Sequence, residues 1–245
     1  MRADGRAPSD LRPVKITPDF IRSAEGSVLM ELGRTRVIAT ATLEDGVPSF
    51  LKGSGKGWVT GEYGMLPRST EQRTPRESVR GRQSGRTLEI QRMIGRTLRA
   101  ATDLKALGER TVWIDCDVIE ADGGTRTASV TGAFVALALA LERLVATGIL
   151  RSLPLVDSVA ATSVGIVDDD LLLDLAYDED SRAQVDMNVV MMAGGQLVEV
   201  QASAEARPFT SRELQQLLDL AERGIRRLSR IQHELLPMSF RSHTR

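Results

Sequence analysis

Ile114-Asp-Cys-Asp-Val-Ile-Glu-Ala-Asp-Gly-Gly124 reads as a strand running into a sharp turn, and Val185-Asp-Met-Asn-Val-Val-Met-Met-Ala-Gly-Gly195 repeats it without a gap. Six of the eleven positions are identical or differ only between Ile and Val. A strand before a Gly-Gly turn is a common pattern, so the flanks must carry the reading. Each copy leads to a long helical pattern, although in the second a strand intervenes first. This is the signature of a duplicated β-sheet/helix unit. The expected fold is therefore mixed α/β, of the α+β kind. It forms one pseudo-symmetric domain over residues 1–236, with halves at about 10–148 and 156–236.

Working outward, Val14 to Arg22, Ser27 to Leu32 and Thr35 to Leu43 read as strands, as do Trp58 to Leu66 and Thr111 to Glu120. Residues 1–12 are polar and read as a loose arm. Pro67 to Gly85 has no apolar period and reads as a long exposed loop, a length usually functional or disordered. A helix is expected from about Ser84 to Leu107, with Ile90, Ile94, Leu98 and Ala101 as its buried stripe. Thr127 to Ala146 is apolar nearly all round and should be central. Leu150 to Asp157 reads as a linker. Ser158 to Val167, Leu171 to Ala176, Val185 to Met192 and Gln196 to Ala202 are strands. Thr210-Ser-Arg-Glu213 is a capping box opening the last helix, and residues 237–245 read as a disordered tail.

The chain has 245 residues and a formal net charge of −1, which hides an asymmetry. Arg68 to Arg99 holds nine arginines and three glutamates, a net of +6, whereas Asp168 to Asp186 carries a net of −7. A basic block can hold a polyanion and an acidic block a divalent cation; two solvated, mutually attracting faces would give the same totals. Aromatics are 4%, too few for an extensive base-stacking platform. Cys116 is the only cysteine, which excludes an intrachain disulfide and a cysteine-based zinc site and fits a reducing compartment. The longest apolar run, Ala133 to Leu141, is far short of the roughly 20 residues of a membrane span. Met1-Arg-Ala-Asp-Gly-Arg6 has no apolar core of the signal-peptide kind. A cytoplasmic location is expected, with no membrane and no DNA partner. His233 and His243 lack ligand spacing, which argues against a histidine-based nuclease.

Gly123-Gly-Thr-Arg-Thr127 lies at a strand-to-helix junction. A helix start offers unpaired N–H groups and partial positive charge. Thr125 adds a hydroxyl and Arg126 a forked cation, the parts of a phosphate cradle; simple helix capping is the rival reading. Arg86, in Gln83-Ser-Gly-Arg86, starts another helix within possible reach of the same anion. Asp180 is expected in a loop and Asp186 at a strand start. Together they can bind Mg²⁺ or one can donate a proton to a leaving oxygen. Asp178 and Glu179 read as a solvated acidic turn. The loop arginines Arg68, Arg73, Arg76, Arg80 and Arg82 suit phosphate-backbone contacts or an ion-paired subunit contact.

Taken together, Arg2-Ala-Asp-Gly-Arg6, Gly57-Trp-Val-Thr-Gly-Glu-Tyr-Gly-Met-Leu-Pro-Arg68, Gly85-Arg-Thr-Leu-Glu-Ile-Gln-Arg92, Asp117-Val-Ile-Glu-Ala-Asp-Gly-Gly-Thr-Arg126 and Asp186-Met-Asn-Val-Val190 resemble the ribonuclease PH family of phosphorolytic exoribonucleases. The resemblance implies a fold similar to the second domain of ribosomal protein S5. It implies removal of nucleotides from the 3′ ends of tRNA precursors, with inorganic phosphate as co-substrate and Mg²⁺ as cofactor, by a homohexamer built as a trimer of dimers. Arg86, Gly124, Thr125 and Arg126 match the family's phosphate-binding positions. Asp180 and Asp186 match its catalytic aspartates, and Arg68, Arg73 and Arg76 its tRNA-holding loop. Gly61 stands where relatives often have alanine. Two alternatives stay open: a non-catalytic RNA-binding ring subunit of exosome type, and a hydrolytic nuclease.

Overall fold

A computed structural model describes residues 2–236 and 240 of the chain. The first half forms a five-stranded sheet from β1 (Val14–Pro18), β2 (Gly26–Leu32), β3 (Thr35–Asp45), β4 (Trp58–Met65) and β5 (Arg110–Glu120). Their order is β1-β2-β3-β5-β4, and only β4 and β5 run parallel. Parallel neighbours require a crossover, and α1 (Gly85–Ala100) supplies it before a one-turn helix, α2 (Leu104–Leu107). The long α3 (Thr125–Ala146) follows. The second half forms β6 (Val159–Val167), β7 (Asp170–Leu173), β8 (Val185–Met192) and β9 (Leu197–Ala204), ordered β7-β6-β8-β9, with α4 (Tyr177–Asp180) between β7 and β8 and α5 (Ser211–Leu235) at the end.

The two repeated stretches form β5 and β8, each interior in its sheet with an antiparallel neighbour on one side, β3 and β6 respectively. Their other neighbours differ. β4 precedes β5 and lies parallel to it, whereas β9 follows β8 through a hairpin and lies antiparallel. That divergence begins at the second glycine of each turn. Gly124 leads into α3, and Gly195 sends the chain straight back.

α3 packs on β2, β3, β5 and β6, so it lies between the two sheets. Its length and composition would suit a membrane span, but most of it is buried in the protein. Val130, Phe134, Leu137 and Leu141 reach zero exposure in a core that includes Val28, Val37 and Ile114 from the first half and Val159 and Val190 from the second. The apolar periodicity therefore found the helix that the fold is built around.

One expected helix needs correction. The helix from Ser84 breaks after Ala100, because the Asp103 carboxylate caps a new turn by accepting from the backbone N–H groups of Lys105 and Ala106. The Leu150 to Asp157 linker fills the break: Asp103 N–H donates to Pro154 O, and Val156 N–H to Ala101 O. The expected 237–245 tail lies outside the described residues except for Phe240, which is buried against Phe134. His243 is also outside them, while His233 shares a 3.0 Å hydrogen bond with Ser158 Oγ.

The largest correction concerns residues 1–12, which are not a loose arm. Arg2 donates to both carboxylate oxygens of Glu179, at 2.7 and 2.6 Å, and to the carbonyls of Leu173 and Asp174. Arg12 grips Asp174 side-on, Nε to Oδ2 at 3.0 Å and Nη2 to Oδ1 at 2.7 Å, and its own N–H donates to Oδ2 at 2.7 Å. Asp174 is fully buried and Arg12 is 4% exposed. Arginines can enter the interior only when their donors are matched, as here. Glu179 is accordingly buried, not part of a solvated turn, and the Arg2 guanidinium holds its carboxyl below the usual range against the opposing effect of burial.

Removing one partner of such a pair strands the other charge away from water. Asp174→Ala is expected to lower the free energy of unfolding by about 3–5 kcal/mol. Urea denaturation followed by tryptophan fluorescence measures it; a loss of under about 1 kcal/mol would mean the pair behaves as an exposed one.

Candidate active site

The site forms where β5 ends. Asp122 leads into Gly123 and Gly124, with φ of 74° and 66°, a left-handed pair that glycine adopts without strain. A Cβ on Gly123 would sit 2.6 Å from Leu175 O and 2.8 Å from Tyr177 N. This turn therefore rests directly on the segment entering α4. Arg12 reinforces the contact, donating to the carbonyls of Asp122 and Gly123 while it holds Asp174. Cradle and acids come from different halves and are joined by backbone contact.

α3 begins at Thr125, two residues earlier than the apolar pattern suggests, with Gly124 as its N-cap. Among the described residues no side chain caps this helix start. The contrast with α1, capped by Ser84, and α5, capped by Thr210, is direct. The capping reading of Gly123-Gly-Thr-Arg-Thr127 is thus not what the structure displays; the first-turn N–H groups are left for another acceptor. Thr125 is buried and its Oγ1 accepts from Tyr63 OH at 2.9 Å. Arg126 donates to Gln201 Oε1 at 3.0 Å, and Gln201 in turn donates to Glu89 and Glu199.

Arg86 lies in the first turn of α1, exposed and, among the described residues, without a hydrogen-bond or ion-pair partner. Its charge reaches Tyr63, Asp180 and Asp186. Asp180 is the last residue of α4 rather than a loop residue, and Asp186 is the second residue of β8. Partial desolvation pushes both carboxyls above the usual range, more securely for half-buried Asp186 than for Asp180, whose side of α4 is exposed. The Asp180 charge pushes Asp186 further up, and Arg86 and Arg126 pull both back. Two carboxylates and two guanidiniums therefore share one field. Asp178 is exposed, as the acidic-turn reading has it.

Beside this cluster a cleft of about 710 Å³ opens between the ends of β4 and β5, the 66–84 loop and the start of α1. Arg76, Arg82, Arg86, Tyr63 and Asp117 line it. Arg68 and Arg73 are exposed on the same loop but do not line the cleft, and Arg68 is turned back to the Glu71 carbonyl at 2.8 Å. Tyr63, Gln201 and Asp117 were not singled out from the sequence. Nothing local marks Gln201, because β9 meets α3 only through the assembled sheet. Gly61 lets α1 lie close on β4: a Cβ there would meet Ile94 Cγ2 at 2.6 Å.

The raised carboxyls fix the sign of a stability effect. A folded-state pKa above the unfolded value means that the native state binds more protons, so stability falls as pH rises through that interval and stays reduced at neutral pH. Asp186→Asn is expected to raise the thermal midpoint at pH 7 by on the order of a degree or two. The gain should vanish once the pH drops below the ordinary carboxylate range. Calorimetry of both proteins across acid to neutral pH checks this; a lowered midpoint at pH 7 would reverse the assignment.

Comparison with known proteins finds relatives along nearly the whole chain. The model of the 3′ exoribonuclease family, domain 1, matches residues 10–141, and that of domain 2 matches residues 157–224. A Ribonuclease PH from Moorella thermoacetica is 59% identical over 236 residues, covering 96% of this chain and 94% of its own. Two solved structures share the fold at low identity. The Archaeoglobus fulgidus exosome with RNA bound to the active site has a TM-score of 0.79 at 24% identity, covering 94% of this chain and 92% of that one. Rice (Oryza sativa) Rrp46 has a TM-score of 0.78 at 19% identity, covering 96% of this chain and 100% of that one. Both family domains in order, and a 59%-identical relative along nearly the whole length, show that the chain belongs to the 3′ exoribonuclease family, among its ribonuclease PH members.

Proposed function

We infer that the chain is a phosphorolytic 3′ to 5′ exoribonuclease that shortens the 3′ ends of tRNA precursors and releases nucleoside diphosphates. The observation that carries this reading is the uncapped start of α3, flanked by Arg126 and by an Arg86 with no partner among the described residues, within the field of Asp180 and Asp186. A hydrolytic enzyme needs no anion cradle beside its carboxylates.

In this reading an orthophosphate rests on the α3 N–H groups after Gly124, on the Thr125 hydroxyl and between Arg126 and Arg86. One of its oxygens attacks the terminal phosphorus, forming a P–O bond. The P–O3′ bond to the preceding nucleotide breaks, and that 3′ oxygen leaves with a proton. The arginines offset repulsion between two anions and hold them at reacting distance, which is positioning plus electrostatics. Arg76 and Arg82 line the route by which the RNA end arrives. Arg68 and Arg73, further out on the loop, suit the body of the tRNA.

Among the described residues no group of three or more His, Cys, Asp or Glu side chains could hold a metal. Mg²⁺ needs only one or two carboxylates when substrate phosphate and water complete its octahedron, and Asp180 and Asp186 offer that donor set. When bound there, it would supply charge stabilisation to the leaving oxygen. The raised pKa of both acids keeps proton donation by one of them as the other route. The reading includes a cytoplasmic homohexamer, a trimer of dimers. A non-catalytic ring subunit has no need of an open anion site beside paired acids.

Incubation of a tRNA carrying extra 3′ residues, with and without phosphate, tests the chemistry. Nucleoside diphosphates are expected only with phosphate; monophosphates in phosphate-free buffer would identify a hydrolase. For Arg86→Ala the Michaelis constant for phosphate is expected to rise at least tenfold, on the scale of a lost charge-assisted contact, with RNA affinity within about twofold of the parent. Filter binding and steady-state rates separate the two, and an unchanged phosphate dependence removes Arg86 from the site.

A further inference from the structure

Tyr63 lies on β4, in the parallel pair that α1 crosses over, opposite Cys116 of β5. It is 5% exposed, yet it is among the residues that line the cleft. Its hydroxyl donates to Thr125 Oγ1 at 2.9 Å. The hydroxyl is spent on one partner, the side chain at the start of the uncapped helix.

The bond has a directional consequence. A threonine hydroxyl has one proton and two acceptor positions. In a first helical turn that proton commonly turns toward the preceding carbonyls. Thr127 does so, donating to Gly124 O at 2.9 Å, and Ser129 donates to Thr125 O at 2.8 Å. Thr125 is different: its hydroxyl meets the more acidic phenol of Tyr63, the better donor of the two, and among the described residues it donates to no backbone carbonyl. Its own proton is left to point away from Tyr63, beside the free N–H groups of α3. Burial pushes the Tyr63 pKa up, so the phenol keeps its proton and remains able to donate.

We propose that Tyr63 is a positioning residue that orients the Thr125 hydroxyl as a donor to the phosphate co-substrate. The proposal rests on the phosphorolytic reading given above. Tyr63 touches neither the attacking oxygen nor the RNA; it acts through Thr125. The orientation is set before phosphate arrives, so the donor does not have to be recruited from a competing bond, the general advantage of a preorganised site.

The test uses full-length Tyr63→Phe, which keeps the ring and removes the hydroxyl. Initial rates of 3′ shortening are measured with phosphate varied at saturating RNA, then with RNA varied at saturating phosphate. The Michaelis constant for phosphate is expected to rise about three- to tenfold, the range of one lost neutral hydrogen bond. The RNA constant should stay within about twofold. Thr125→Val should give a larger rise, and adding Tyr63→Phe to it should change nothing more, because the partner is gone. A merely structural tyrosine would weaken both substrates, or would add the same penalty whether position 125 carries threonine or valine. The thermal shift produced by inorganic phosphate alone, without turnover, gives a second reading and should shrink in Tyr63→Phe. A parent that requires phosphate with a variant whose phosphate constant is unchanged, or independent penalties in the double variant, would overturn the role of Tyr63 while leaving phosphorolysis intact. A parent that needs no phosphate would remove both.

Discussion

The site depends on the buried grip of Arg12 on Asp174. Arg12 precedes the first sheet, and Asp174 follows β7 of the second. The same guanidinium donates to the carbonyls of Asp122 and Gly123, the turn that opens α3. One side chain thus ties the cradle of the first half to the segment that carries Asp180 in the second. Arg2 repeats the arrangement one turn further on, spanning Leu173, Asp174 and Glu179 of α4. Buried ion pairs add little to net stability but specify geometry strongly when every donor is matched. Here the geometry specified is the distance between a helix start and a pair of acids.

Around that frame the site keeps what folding alone would remove. A helix start without a side-chain cap and two mutually repelling carboxylates cost stability, and an exposed arginine beside them has no partner among the described residues. Elsewhere the same chain solves these problems: Ser84, Asp103 and Thr210 cap their helices, and Arg96 meets Glu199. The unsolved ones collect in one place, where a phosphate dianion between Arg86 and Arg126 would satisfy the helix start and the arginines, and a cation or a shared proton the two acids. Unmet local requirements concentrated at one point of an otherwise consistent sequence are the mark of a functional site.

Much of this was legible in the residues. The repeat around the two Gly-Gly turns located the interior strands of both sheets. The apolar run after Gly124 located the central helix, and Gly123-Gly-Thr-Arg126, Arg86, Asp180 and Asp186 were selected by residue type at element ends. Polar composition misled at residues 1–12, because an arginine matched at every donor is buried like an apolar side chain, and composition does not show the match. The expected helix to Leu107 failed for a smaller reason: a single Asp103 cap outweighed an unbroken apolar stripe.

The sequence by itself determined the elements, since periodicity, glycine turns and caps act over a few residues and need no partner. It also determined which groups carry charge. What only the tertiary structure decided is which of those groups meet. Tyr63 reaches Thr125, Gln201 reaches Arg126, and Arg12 joins Asp122 to Asp174 across long stretches of chain. Those pairings follow from the register of two sheets pressed on one helix, and register is a property of the packed core rather than of any local segment.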